Sequence, residues 1–106
     1  MSPPAGLAEG LALMRAGDGF AAHEVLELVW RAAPAAERDF YQGLVHVAVA
    51  TYQESRGNAV GRQRQLEKAR RRLAPYAPAH EGVDVAALLA WCDVSLADGR
   101  CPPIPV

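Results

Sequence analysis

"FAAHEVLELVWRAAPAAERDFYQGLVHVAVATY", residues 20–52, holds two runs in which apolar residues recur at helical rather than alternating spacing, with one proline between them. Pro34 is tolerated in a first helical turn but not inside a helix, so it separates helix two, Gly19 to about Ala32, from helix three, about Ala35 to Arg56. A connection this short predicts an antiparallel αα-hairpin. In that hairpin His23 stands level with His46, Glu27 with Gln42, and Arg31 with Arg38. Phe40, Tyr41, Leu44, Val45, Val47, Ala48, Val49 and Tyr52 cover most of the circumference of helix three. A helix apolar on so many sides belongs in the middle of a fold.

Outward from the hairpin, the punctuation is glycine followed by a capping residue. Helix one, about Ala5 to Ala16, stops at Gly17, and Asp18 is placed to cap helix two. Gly57 and Asn58 repeat the device between helices three and four. Helix four runs to about Ala74, before the Pro-rich loop of residues 75–82. Asp84 caps helix five, which ends at Gly99, and "RCPPIPV", residues 100–106, is an extended tail because its prolines bar a helix. Nothing reads as a strand. The expectation is an all-α fold: a compact array of about five helices around a long, buried central helix three, in a single domain spanning 1–106.

At 106 residues the chain is long enough for a modest core without metal or disulfide staples. Eleven Lys and Arg against twelve Asp and Glu leave no long-range field to recruit nucleic acid or an anionic membrane. The opening residues lack the basic segment of a secretory signal, and no apolar run approaches the roughly 20 residues of a membrane span. Cys92 and Cys101 lack CxxC spacing and read as free thiols rather than a zinc or redox pair. The cytoplasm is the expected compartment.

His23-Glu24 looks like the start of a zinc-protease helix, but the second imidazole is missing: Glu27 stands where His-Glu-x-x-His needs a histidine. His23, Glu24, Glu27 and Arg31 share an arc of about 100° on helix two. Arg38, Gln42, His46 and Gln53 form a matching stripe on helix three. If the two seams meet, His23, Glu24, Glu27, Trp30, Arg38, Gln42 and His46 make one polar cluster.

Three uses compete with a merely structural i,i+4 network. The first is a binding or interaction module for a protein partner or a second copy of the chain. The second is a metal-binding protein or hydrolase in which His23, Glu27 and His46 hold zinc or iron. The third is weak anion or nucleic-acid binding through helix four, which carries Arg62, Arg64, Lys68, Arg70, Arg71 and Arg72 against Glu67. The first is favoured. No nucleophile falls near His23, so no enzyme activity, and no resident cofactor, is expected.

Phe-x-x-His-Glu-x-x-Glu-x-x-Trp at 20–30, with Gln-Gly-Leu at 42–44 and Arg-Gly-Asn at 56–58, resembles a small bacterial and archaeal family, domain of unknown function 309. The resemblance covers about residues 18–73. It implies several helices around a central one and brings no established activity, substrate or cofactor. The family pattern often has Gln where this chain has His46, a departure that weakens any role needing an imidazole there.

Overall fold

The computed structural model describes residues 4–106; the first three residues of the expected domain lie outside them. Five α-helices follow in order: α1 Leu7–Arg15, α2 Gly19–Ala32, α3 Arg38–Ser55, α4 Ala59–Leu73 and α5 Val85–Asp98. The fold is all-α around α3, as the sequence predicts.

Local chemistry fixes the helix ends. Gly17 and Gly57 have φ 81° and 72°, a conformation open to glycine without a Cβ penalty. At each, the next amide reaches back to close the finished helix: Asp18 N–H donates to the Leu13 carbonyl at 3.0 Å, and Asn58 N–H to that of Gln53 at 2.9 Å. The same two residues then open the next helix through their side chains. Asp18 Oδ1 accepts from Ala21 N–H at 3.0 Å and Asn58 Oδ1 from Gly61 N–H at 2.9 Å. Asp84 caps α5 likewise through Ala87 N–H.

The core is where α3 meets its neighbours. Phe40, Tyr41, Leu44, Val47, Ala48 and Ala50 are buried against Ala22, Leu26 and Val29 of α2 and Leu66, Ala69 and Leu73 of α4. Val85, Leu88, Trp91 and Cys92 of α5 and Leu7 and Met14 of α1 complete it. Trp91 is therefore a core residue, and its indole N–H donates to the Pro102 carbonyl at 2.8 Å. Close approach depends on glycine at two places. A Cβ on Gly43 would lie 2.6 Å from Leu73 Cγ, and one on Gly19 would lie 2.6 Å from the Ala48 carbonyl oxygen.

Three details differ from the sequence expectation. Helix three begins as a 3₁₀ turn over Ala35–Glu37 and becomes α-helical only at Arg38. The Pro-rich loop holds a 3₁₀ turn, Ala74–Tyr76, and a miniature antiparallel hairpin of β1, Ala79–His80, and β2, Val83–Asp84. Two-residue strands are too short to show any period in a sequence. The 100–106 tail is extended but not loose: Cys101 N–H donates to Glu54 Oε2 at 2.7 Å, and Cys101, Ile104 and Val106 pack on the core.

Gly19→Ala tests the α2–α3 approach. The opposing atom is backbone and cannot rotate away, so we expect a loss of about 1–3 kcal/mol in urea unfolding. An unchanged midpoint would mean the two helices can separate at no cost.

Candidate functional site

On α2 the expected polar arc forms and faces outward. His23 Nδ1–H donates to the Phe20 carbonyl at 2.9 Å, and His23 Nε2 lies 3.7 Å from Glu27 Oε2. The other Glu27 oxygen lies 3.4 Å from Arg31 Nη2. Glu27 and Arg31 are 36% and 63% exposed, so each contact is an i,i+4 pair worth a few tenths of a kcal/mol, about 0.2–0.5. Glu24 is exposed. Arg38 lays its guanidinium 5.1 Å from the centre of the Trp30 ring, which pins the corner between α2 and α3.

The two seams do not converge. His46 turns away from α2 and toward α4, where Nδ1–H donates to Gln65 Oε1 at 2.7 Å. Gln42 is half-buried with no side-chain hydrogen bond among the described residues. The His23, Glu27 and His46 ligand set is thus not assembled. α3 is packed on two sides, and of its polar stripe His46 falls against α4 while Arg38 lies over Trp30 of α2. Burial pushes the His46 pKa down, and the charges of Arg72, Lys68 and Arg71 push the same way against the opposing effect of the Gln65 bond.

The basic surface of α4 is also partly spent. Arg70 pairs with Asp93 at 2.6 Å, Arg72 with Asp39 at 2.8 Å, and Arg62 donates to the Gly99 carbonyl. Asp93 and Asp39 thus offset part of the positive charge of the helix. Arg64, Lys68 and Arg71 stay exposed with no ion pair among the described residues. Both cysteines are free. Burial pushes the Cys92 thiol up to about 12, and burial with the Glu54 carboxylate does the same for Cys101, so neither is a thiolate nucleophile near neutral pH.

A concave site exists elsewhere on α2. A groove of about 560 Å³ runs along its Val25, Leu28, Val29 and Ala32 side, with Pro4, Gly6 and Glu9 as one wall. Its head is the α2–α3 corner, where Glu37, Tyr41 and Glu81 line it. Leu28 is 65% exposed on the floor. Among the described residues the lining holds three carboxylates and no Lys or Arg.

At the head, His80 Nε2 and Glu37 Oε2 are 2.5 Å apart and both side chains are half-buried. His80 is thus tied to Glu37 rather than free in its Pro-rich loop. Phe40 and Tyr76 hold its ring edge-on and tilted, with centroids 4.7 and 4.9 Å away. Glu81 sits beside it at the tip of the hairpin with φ 50°, a costly conformation for a residue with a side chain. Tyr41 is 2% exposed, and its hydroxyl makes no hydrogen bond among the described residues. Its phenol is pushed up to about 12, first by burial and then by the charges of Glu81 and Glu37.

None of Glu37, His80 or Glu81 stands out in the sequence as a site residue. The one signal is Glu81-Gly82 as a tight-turn dipeptide, and nothing local joins it to Glu37.

The family model "Domain of unknown function (DUF309)" matches residues 7–65, more than half of the chain. The chain belongs to this family. The match begins with α1 and ends inside α4, so it contains the groove's floor and Glu37 but neither His80 nor Glu81. No curated protein and no solved structure matches the chain.

Two stability measurements test this description. Glu24→Ala and Glu27→Ala should each cost less than about 1 kcal/mol in urea unfolding, because both carboxylates reach water. His46 carries a pH dependence. Its folded pKa lies below the ordinary value of roughly 6.5. The unfolded chain therefore takes up the proton first, and stability present above that value is lost as the pH falls through and below it. His46→Gln should flatten the decline in unfolding free energy between about pH 7.5 and 5.5; an unchanged slope would place the titration elsewhere.

Proposed function

We propose that this protein is a binding module and that the groove along α2 is its site. Its ligand is an amphipathic helical segment of a partner protein, with an apolar face and Lys or Arg at the edge. The observation that carries this reading is the combination of an apolar floor with a lining that, among the described residues, has three carboxylates and no cation. The volume, about 560 Å³, suits the side chains of one apolar helix face. Leu28, 65% exposed at the floor, is a natural anchor point for a partner. The polar arc of His23, Glu27 and Arg31 is a weaker candidate because its groups already satisfy one another on a convex face.

The test is titration of labelled full-length protein with two synthetic amphipathic helices, one Leu/Lys and one Leu/Glu, in the presence of a chelator. The Leu/Lys peptide should bind and shift the NMR signals of Val25, Leu28 and Val29, and Leu28→Ser should weaken it about tenfold, as expected for losing one buried leucine. Equal binding of both peptides, or shifts confined to α4, would sink the proposal.

A further inference from the structure

We propose that Glu37, His80 and Glu81 form a binding site for a first-row divalent transition-metal ion, zinc above all, at the head of the groove. One ligating atom from each residue lies within 4.8 Å of the other two, and this is the one such group of three among the described residues. Around a tetrahedral zinc with bonds of roughly 2.0–2.1 Å, neighbouring donors stand about 3.4 Å apart. Binding thus asks for adjustments of about an ångström: His80 Nε2 and Glu37 Oε2, 2.5 Å apart, open slightly, and Glu81 closes in from within 4.8 Å.

The donor set fits the ion. Two carboxylates neutralise a double positive charge, and one imidazole nitrogen favours zinc, copper, iron or nickel over the all-oxygen preference of calcium or magnesium. The ring of His80 is held in place by Phe40 and Tyr76, so its nitrogen is presented rather than free to swing. The neutral imidazole of His80, with its hydrogen on Nδ1, presents the Nε2 lone pair to the ion, which takes the place of the His80–Glu37 hydrogen bond.

A second observation points to the same place. Tyr41 is almost fully buried and lines the groove with Glu37 and Glu81; its hydroxyl keeps an edge open to the groove and has no hydrogen-bond partner among the described residues. Water or a ligand group on the ion's remaining position would give it one. Three protein ligands leave a tetrahedral ion one further position, the arrangement of zinc sites that bind something further.

The site goes beyond the groove reading and stands without it. Where both hold, the ion neutralises two of the three groove carboxylates, and a basic partner and the metal weaken each other's binding by the same factor.

The experiment is calorimetric titration of the tag-free full chain with Zn²⁺ alone, repeated with Co²⁺ to read the visible spectrum of a bound ion. We expect one saturable site per chain, weakened by at least roughly tenfold in His80→Gln and in Glu81→Gln and unchanged in His23→Gln. Circular dichroism melts without metal separate loss of ligand from loss of fold. If His80→Gln unfolds, Glu81→Gln, on an exposed turn, decides alone. No saturable binding, or a loss in His23→Gln as large as in Glu81→Gln, overturns the site. The peptide titration contains a chelator, so a failed metal site and a failed groove give separate results.

Discussion

Helix α3 is enclosed between two neighbours, and the rest of the domain follows from how closely they come. On one side Gly19 of α2 rests against the Ala48 carbonyl; on the other Leu73 of α4 fills the space left by the missing side chain of Gly43. With α3 clamped in this way, a polar side chain on it has few places to go. His46 finds Gln65 on α4, Asp39 finds Arg72, and Glu54 reaches the Cys101 amide. Packing decides these pairings, and the pairings decide which polar groups are left over for a ligand.

What remains is uneven in charge. The α2 arc balances itself, with a histidine and an arginine on either side of Glu27. The α4 surface is balanced in part by Asp39 and Asp93. The head of the groove has no such compensation apart from His80: after burial, the charges of Glu81 and Glu37 further oppose the ionisation of Tyr41. Net charge near zero thus conceals a basic side and an acidic recess, and it is the recess that is concave.

The architecture was legible because its determinants are local. Asp18, Asn58 and Asp84 each cap a helix through an amide three residues on, so a reader of the sequence sees donor and acceptor together. The hairpin of α2 and α3 was legible for the same reason, and Gly19 indeed stands level with Ala48 and Tyr52. Helix rotation was not. Whether His46 turns to α2 or α4 depends on which neighbour offers a partner, and Gln65 lies 19 residues away. The head of the groove was illegible altogether, because His80 and Glu37 are 43 residues apart and Glu81 is aimed by a two-residue turn.

The order of packing has a consequence for how the chain folds. α1 lies on α2, α2 on α3, α3 on α4 and α4 on α5, each helix against its neighbour in the sequence. Topologies of such low contact order fold in roughly microseconds to milliseconds. Side-chain ties across long loops break the pattern, among them Glu37 to His80, Tyr76 to Ala36 and Glu54 to Cys101, closing 43, 40 and 47 residues. None rewards the chain until its loop has closed. The groove's acidic head, which needs Glu37 and His80 together, thus draws on some of the most entropically costly contacts of an otherwise local fold.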